Sequence, residues 1–302
     1  MTTSTDVTVV FTTFNPSAEF VATVKAVLAD FPVVVVDDGS TLATTVLDDI
    51  EDTGAKLLRQ PLNMGIAAAL NTGLGYAFSN GAGYAVTFDQ DSVPGTETIE
   101  ELRQTFDQVS TRGNLVVVPE QFAGVRQAVS DRPFSDARRV IQSGMMLDAD
   151  TFKNVGAFDE ALFIDLVDTE FELRVIASGG RVVAAPTRID HELGRTVRLR
   201  PFGPLPITIT TMASTPFRYY YRARNRMLLT RKYFGDAPVR ILGDLFTDLA
   251  YFGLMVAAAR PRRAMCAILW AGFRDAFRGR TGRIPDETYA KATGLTWSTA
   301  AE

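Results

Sequence analysis

Cysteine and histidine are almost absent from this 302-residue chain, which contains only Cys266 and His191. A single cysteine excludes an internal disulfide framework and a cysteine-rich zinc site. It also suits a reducing cytoplasm. The first six residues lack the basic and apolar stretches that are typical of a secretion signal. We therefore expect a cytoplasmic protein.

Long hydrophobic runs are missing as well. Within residues 239–278, the longest charge-free stretch is 249–259, which has 11 residues, whereas a membrane span needs about 20. The sequence therefore predicts no transmembrane helix. Apolar residues make up 46% of the chain and charged residues 22%, which is ordinary for a globular protein with a sizeable core.

Charge is distributed unevenly along the chain. Residues 195–283 contain 17 Lys and Arg against 4 Asp and Glu, a net charge of +13. The rest of the chain carries a net charge of −17, which gives the total of −4. Such asymmetry indicates an anionic partner for the basic half: nucleic acid, membrane headgroups or a polyanionic substrate. No nucleic-acid fold motif accompanies the charge, which disfavours nucleic acid.

Strands and helices alternate over the first 120 residues. Apolar, β-branched runs at 7–12, 33–36, 57–59 and 84–88 predict strands, and the spacing at 17–28 and 66–79 predicts helices. This pattern is typical of an α/β doubly wound, mostly parallel, Rossmann-like sheet, to which we assign residues 1–210. Residues 211–302 are predicted to form a helical, basic extension. Its apolar residues beside arginine clusters favour a membrane-associating or acceptor-binding region, with an ordinary helical cap as the alternative.

Three polar clusters follow predicted strands, at 12–15, 37–38 and 89–91. Ligands of such sheets bind at the carboxyl ends of the strands, so we expect the clusters to converge. In a strand, Asp89 and Asp91 share a face. Paired carboxylates favour a divalent cation that also binds phosphate oxygens, and an acidic turn is the alternative.

Five short blocks combine glycine, asparagine and acidic residues: 12–15 (Thr-Thr-Phe-Asn), 36–40 (Val-Asp-Asp-Gly-Ser), 63–71 (Asn-Met-Gly-Ile-Ala-Ala-Ala-Leu-Asn), 89–91 (Asp-Gln-Asp) and 167–174 (Val-Asp-Thr-Glu-Phe-Glu-Leu-Arg). In this order they resemble the family 2 glycosyltransferases, enzymes of GT-A fold that use nucleotide-sugar donors. The Asp-Gln-Asp-Ser form, with Phe-Ile-Asp at 163–165 and His-Glu-Leu-Gly at 191–194, is most similar to the bacterial rhamnosyltransferase branch. That branch typically uses dTDP-L-rhamnose and builds cell-surface polysaccharide.

The resemblance and the residue chemistry together assign donor contacts. A carboxylate at a strand end can accept the N3–H of a pyrimidine, and Asp38 is the candidate, with the Thr12 and Phe14 backbone as a wall. Asn63 and Gly65 precede a predicted helix whose N-terminus favours the diphosphate. The remaining donor-site candidates, taken from the matching blocks, are Asn15, Asp89 and Gln90.

The resemblance also implies a metal and a base. Asp91 is expected to bind Mn²⁺ or Mg²⁺ directly, and Asp89 to lie near the ribose or share the metal shell. His191 matches a third position of that shell, and an imidazole would favour Mn²⁺. Aligning the family pattern Glu-Asp-x-Asp-Leu-x-x-Arg on Arg174 makes Asp168 the base, although Val167 replaces the usual Glu. Asp165 and Glu170 are the competing bases.

The segment 218–226 resembles a Tyr-Tyr-x-x-Arg-Asn block that follows the catalytic domain of these rhamnosyltransferases. Its side chains fall in i,i+4 rows, and arginine suits bidentate phosphate contacts, with solvated surface charge as the alternative. The predicted acceptor and phosphate contacts are Ser143, Gly144, Asp165, Arg218, Tyr221, Arg222 and Asn225.

Together these features predict an inverting, metal-dependent glycosyltransferase that is peripheral on the inner face of the plasma membrane. We expect it to move L-rhamnose from dTDP-L-rhamnose to a lipid-linked, polyprenyl-diphosphate glycan. A UDP-sugar donor, such as UDP-galactofuranose or a UDP-hexose, is the alternative within the class. A catalytically silent nucleotide-binding scaffold at the membrane is the alternative outside it.

Overall fold

The computed structural model describes residues 6–42, 44–109, 113–189, 195–199 and 208–298. The chain divides into two compact units. The first contains Met1–Glu160 and Val167–His191, and the second contains Ala161–Leu166 and Glu192–Glu302. The short segment Ala161–Leu166 therefore belongs with the C-terminal residues, although it lies within the first two hundred residues of the chain. The boundary predicted between residues 210 and 211 stays a prediction.

The first unit is built on one mixed sheet that is rich in parallel pairs. Its strands are β1 Val7–Thr13, β2 Val33–Asp37, β3 Lys56–Arg59, β4 Tyr84–Asp89, β5 Leu115–Phe122, β6 Val125–Arg126, β7 Met145–Asp148 and β8 Arg181–Ile189. They run in the order β3-β2-β1-β4-β7-β5-β6, with β8 also paired to β5. The pairs β1–β2, β1–β4, β2–β3 and β5–β8 are parallel, and β7 is antiparallel to β4 and β5. The predicted α/β class is confirmed.

The helices of the first unit lie between these strands in the chain. They are α1 Glu19–Leu28, α2 Thr44–Glu51, α3 Ile66–Ser79, α4 Thr96–Val109, α5 Ala149–Val155 and α6 Val167–Ala177. β1 and β2 are interior strands of the sheet, and their side chains are buried along their whole length. Continuous Val runs suit such doubly covered strands better than alternating patterns do.

The strand register aligns the carboxyl ends of three neighbouring strands. Thr12 of β1 lies opposite Val36 of β2 on one side and opposite Asp89 of β4 on the other. The three polar clusters expected from the sequence therefore meet at one edge of the sheet.

The second unit is mainly helical, as expected for the C-terminal region. It contains an antiparallel pair, β9 Arg195–Leu199 and β10 Ile209–Ala213, and the helices α7 Arg218–Tyr233, α8 Pro238–Ala258, α9 Arg262–Phe277 and α10 Asp286–Thr293. A two-residue pair, β11 Ala259–Arg260 and β12 Thr296–Trp297, completes it. Its core is aromatic and includes the fully buried Tyr219, Tyr220 and Tyr221 together with Phe252.

A glycine and a proline set the limits of three elements. In the run 141–147 the strand begins only at Met145, because Gly144 adopts a φ of 85° and turns the chain. The helices α8 and α9 are separate, with Pro261 between them as a residue that cannot continue a helix.

Candidate donor-binding and catalytic site

The turn after β2 is a tightly built part of the sheet edge. Asp37 accepts hydrogen bonds from the backbone N–H and hydroxyl of Ser40. Gly39 has a φ of 74°, and a Cβ placed there would come within 2.3 Å of the Leu62 carbonyl carbon. Only glycine therefore fits between this turn and the segment that leads into α3.

Asp38 fixes the segment that precedes α3. Its Oδ1 accepts from the Met64 N–H at 2.7 Å, and its Oδ2 accepts from the Gly65 N–H at 2.9 Å. Burial raises the pKa of Asp38 to about 6, with a smaller contribution from the charge of Asp37, while the two amide hydrogen bonds act in the opposite direction. The predicted base-reading carboxylate is thus held in place by the same segment that is expected to face the diphosphate.

The end of β1 is tied to both neighbouring turns. Gln90 Oε1 accepts from the Thr13 hydroxyl at 2.5 Å and from the Phe14 N–H at 2.8 Å. Asn15, at a φ of 49°, accepts with its Oδ1 from the N–H groups of Thr41 and Leu42, both at 3.0 Å. Asn15 and Gln90 therefore hold the loops in which the donor contacts are predicted.

Asp89 is connected to the residues that precede β7. Its Oδ1 accepts from the Gln142 side-chain amide and, at 3.5 Å, from the Thr12 hydroxyl, and its N–H donates to the Ser143 hydroxyl at 3.2 Å. The Ser143 hydroxyl also bonds the buried Ser92 hydroxyl at 2.7 Å. Gln142 and Ser92 were not predicted as site residues. The only sequence signal for them is that they adjoin Ser143-Gly144 and Asp89-Gln90-Asp91.

Gly144 was expected to allow close backbone approach to a ligand. A Cβ at Gly144 would come within 2.6 Å of the Ile189 side chain and 3.1 Å of Pro119. Packing against these neighbours and a φ of 85° already account for the glycine. Acceptor contacts from Ser143 and Gly144 stay predictions.

The two carboxylates that were predicted to hold a metal lie at the end of β4. The strand ends at Asp89, and Gln90 and Asp91 form a turn, so strand alternation does not set the direction of the exposed Asp91 side chain. Within the described ranges, no group of three His, Cys, Asp or Glu side chains that could hold a metal ion is found. His191 lies outside the described residues. Two carboxylates nonetheless fit a hard cation whose remaining ligands are phosphate oxygens and water.

The acidic residues in the first half of α6 lie in different environments. Glu170 is fully buried and pairs with Arg174 at 2.8 Å, and Glu172 is fully buried and accepts from the Val140 N–H at 3.3 Å. Asp168 is half-buried in the first turn, where its Oδ1 accepts from the Thr169 N–H at 2.7 Å. Asp168 is therefore more accessible than Glu170. The assignment of the base stays a prediction.

The remaining competitor, Asp165, lies in the second unit and pairs with Arg218 at 2.7 Å. Arg222 pairs with Asp248 at 2.6 Å, and the buried Tyr221 hydroxyl accepts from the Ile284 N–H at 2.7 Å. These predicted acceptor contacts already have protein partners. An acceptor phosphate would have to compete with Asp165 and Asp248 for the guanidinium groups.

Asn225 and Arg224 hold the segment Ala161–Leu166. The fully buried Asn225 amide donates to the carbonyl oxygens of Leu162, Ile164 and Asp165 at 3.0, 2.9 and 2.8 Å. Arg224, also fully buried, donates to the Leu162 carbonyl at 2.8 Å, and burial lowers the pKa of its guanidinium. The two side chains thus fix a segment in which Asp165 and two further residues adopt positive φ.

Comparison with known proteins gives consistent results. The sequence profile described as Glycosyl transferase family 2 matches residues 8–158. The dTDP-rhamnosyl transferase RfbF of Shigella flexneri is 30% identical over 270 residues, which cover 83% of this chain and 87% of RfbF.

Among solved structures, S. aureus TarS 1-349 in complex with UDP-GlcNAc has a TM-score of 0.51 at 16% identity, covering 95% of this chain and 92% of that one. Another S. aureus TarS structure has a TM-score of 0.50 at 14% identity, covering 91% of this chain and 55% of that one. These structures support the GT-A-like fold alone.

Replacing Asn225 with Leu should lower the free energy of unfolding by about 3 kcal/mol, because buried carbonyl oxygens lose their donor. Urea unfolding measures this change. Asn154→Leu, at an exposed asparagine in α5, is the matched control and should change stability little. If the two variants were equally stable, the Asn225 amide would not be holding the segment.

Proposed function

The chain belongs to glycosyl transferase family 2, and we propose that it moves L-rhamnose from dTDP-L-rhamnose to a hydroxyl of a lipid-linked glycan precursor, with inversion. The observation that supports dTDP-L-rhamnose as the donor is the 30% identity to a dTDP-rhamnosyl transferase over 83% of the chain. The aligned strand ends of β1, β2 and β4 support a nucleotide at that edge, since this is where sheets of this kind bind ligands.

Asp38 is proposed to accept the thymine N3–H. Its burial to 6% exposure makes a charged hydrogen bond there stronger than one in water. Each of its oxygens already accepts one backbone N–H, and a carboxylate oxygen can accept a second hydrogen bond. The α3 N-terminus, which directly follows Gly65, is proposed to face the diphosphate.

Asp91, with Asp89 beside it, is proposed to hold Mg²⁺ or Mn²⁺ together with the donor diphosphate. When bound, the cation neutralises charge that develops on the leaving diphosphate. The hydrogen bonds from Gln142 and Thr12 to Asp89 Oδ1 restrict the rotation of that carboxylate. His191 remains a proposed third member of the shell.

Asp168 is proposed to take the proton of the acceptor hydroxyl. As that oxygen bonds to the anomeric carbon, the bond from this carbon to the diphosphate oxygen breaks on the opposite face, and the proton moves to the carboxylate. Glu170 is less suited to act as the base, because it is fully buried and is paired with Arg174.

The acceptor is proposed to be a polyprenyl-diphosphate-linked glycan on the inner face of the plasma membrane. The net +13 over residues 195–283 supports an anionic partner for the second unit. A peripheral attachment to anionic lipid would keep the enzyme where such an acceptor is.

Donor turnover tests the proposal directly. Purified protein with Mn²⁺ should release dTDP from dTDP-L-rhamnose, and should release UDP from UDP-galactofuranose or UDP-hexoses far more slowly. Turnover of UDP-sugars alone would overturn the rhamnose donor. Nucleotide binding without any turnover, in the presence of a polyprenyl-diphosphate glycan, would favour the silent scaffold.

Replacing Asp168 with Asn should lower the rate of transfer by about a hundred- to ten-thousand-fold, because the base is lost. Donor affinity, measured by calorimetry, should stay within a few-fold of that of the unmodified enzyme. Asp150→Asn is a matched control, since Asp150 also lies in the first turn of a helix of the same unit. Undiminished transfer by Asp168→Asn would remove this residue as the base.

Affinity for dTDP-L-rhamnose should fall as the pH is lowered through about 6, the pKa of Asp38. The ionised carboxylate is the form that accepts the thymine N3–H, so protonation opposes binding, by up to about tenfold per pH unit. The diphosphate of this donor is esterified on both sides and does not titrate in that range. Calorimetry from pH 5 to pH 8 measures the effect.

An N3-methylated donor, which lacks the N3–H, is the control for this titration. It should bind more weakly at neutral pH and lose the dependence on Asp38. Equal pH dependence of the two donors would show that Asp38 does not contact N3.

A further inference from the structure

Helix α8 carries its charged side chains on its buried face. Asp244 and Asp248 are 5% and 1% exposed, and the side chain of Arg240 is 14% exposed. These three are the only Asp, Glu, Lys or Arg residues of Pro238–Ala258. A helix on the surface of a soluble protein normally has the reverse arrangement, with the charged face in water.

Ion pairs with α7 hold the helix in this orientation. Asp248 accepts from Arg222 at 2.6 Å and from Arg226 at 2.6 Å, on its two carboxylate oxygens. Arg226 and Arg240 each lie 3.7 Å from Asp244. Turning the apolar face inward would break these buried pairs, so the outward face of α8 is fixed by charge pairing on the opposite side.

The outward face of α8 is an apolar stripe. Its large members are Val239, Leu242, Phe246 and Leu249, which are 85%, 38%, 67% and 43% exposed. Their spacing of three, four and three residues places them on one side of the helix, over about 15 Å. A contiguous exposed stripe of this kind marks an interaction surface.

We propose that this stripe inserts into the headgroup region of an anionic lipid bilayer, with α8 lying in the plane of the membrane. By length and composition α8 is the one described helix that could also cross a membrane. A crossing helix would carry Asp244, Asp248 and Arg240 into the hydrocarbon. An in-plane helix keeps the two aspartates paired with arginines of α7, and Arg240 paired with Asp244 within α8.

Exposed cations at both ends of α8 decide between lipid and a second copy of the chain. Arg231 and Lys232 lie in the last turn of α7, just before α8, and Arg262 and Arg263 begin α9, just after it. Pairing two copies through the stripe would bring like charges together, whereas anionic headgroups neutralise them. The stripe specifies which residues would make the membrane association in the proposed function. It rests on that association, but it does not depend on which sugar is transferred.

Vesicle flotation with the full chain tests the proposal. The unmodified protein should float with phosphatidylglycerol-containing vesicles, less with pure phosphatidylcholine vesicles, and less again at high salt. The double variant Val239→Gln with Phe246→Gln should lower the partition coefficient at least about tenfold, since two exposed apolar side chains no longer enter the interface. The matched control, Val125→Gln with Val129→Gln, replaces two exposed valines of the first unit and should float normally.

Undiminished flotation of Val239→Gln with Phe246→Gln would overturn the proposal, as would failure of the unmodified protein to float. Light scattering without vesicles tests the other occupant: a dimer that this double variant converts to a monomer would assign the stripe to a second copy instead. Donor affinity measured on the same variants separates the two proposals. A variant that binds donor normally but no longer floats has lost the membrane surface alone. Normal flotation of the unmodified protein without donor turnover would contradict the proposed sugar transfer and leave the membrane surface supported.

Discussion

Hydrogen bonding of β1 to both β2 and β4 sets the relative positions of the three strand ends from which the candidate donor-site loops of the first unit start. The parallel register brings Thr12, Val36 and Asp89 level with one another. Each polar loop that follows is then fixed by its neighbour: Gln90 on Thr13 and Phe14, and Asp38 on Met64 and Gly65. A shift of one residue in either pairing would reverse the faces of the strand and separate these groups.

The sequence predicted this edge because its signals are local. Val runs, glycines and acidic clusters repeat in βα order, and the carboxyl ends of such strands have one place to meet. The partners of the site residues lie far away in the chain, as Gln142 does from Asp89, 53 residues apart. No local pattern predicts such a contact. The direction of the Asp91 side chain could not be predicted from the sequence either, because it depends on β4 ending at Asp89.

The arginines of α7 make contacts within the second unit that their abundance alone does not show. Arg218, Arg222 and Arg226 pair with carboxylates of the same unit, and Arg224 is buried against carbonyl oxygens. The phosphate contacts predicted for Arg218 and Arg222 stay predictions. Net charge counts residues without showing which are already paired. The length of a charge-free run likewise does not show that α8 buries its two aspartates and exposes an apolar stripe.

In the proposed function each unit has its own role: the sheet edge of the first unit is proposed to bind the nucleotide diphosphate, and the helical second unit is proposed to attach to the membrane and contact the acceptor. The most direct test is a crystal structure with dTDP-L-rhamnose and Mn²⁺. The account predicts an anomalous manganese peak bound by Asp91 and the diphosphate, with the thymine N3 at Asp38. A nucleotide bound away from the ends of β1, β2 and β4, or manganese bound without Asp91, would contradict it.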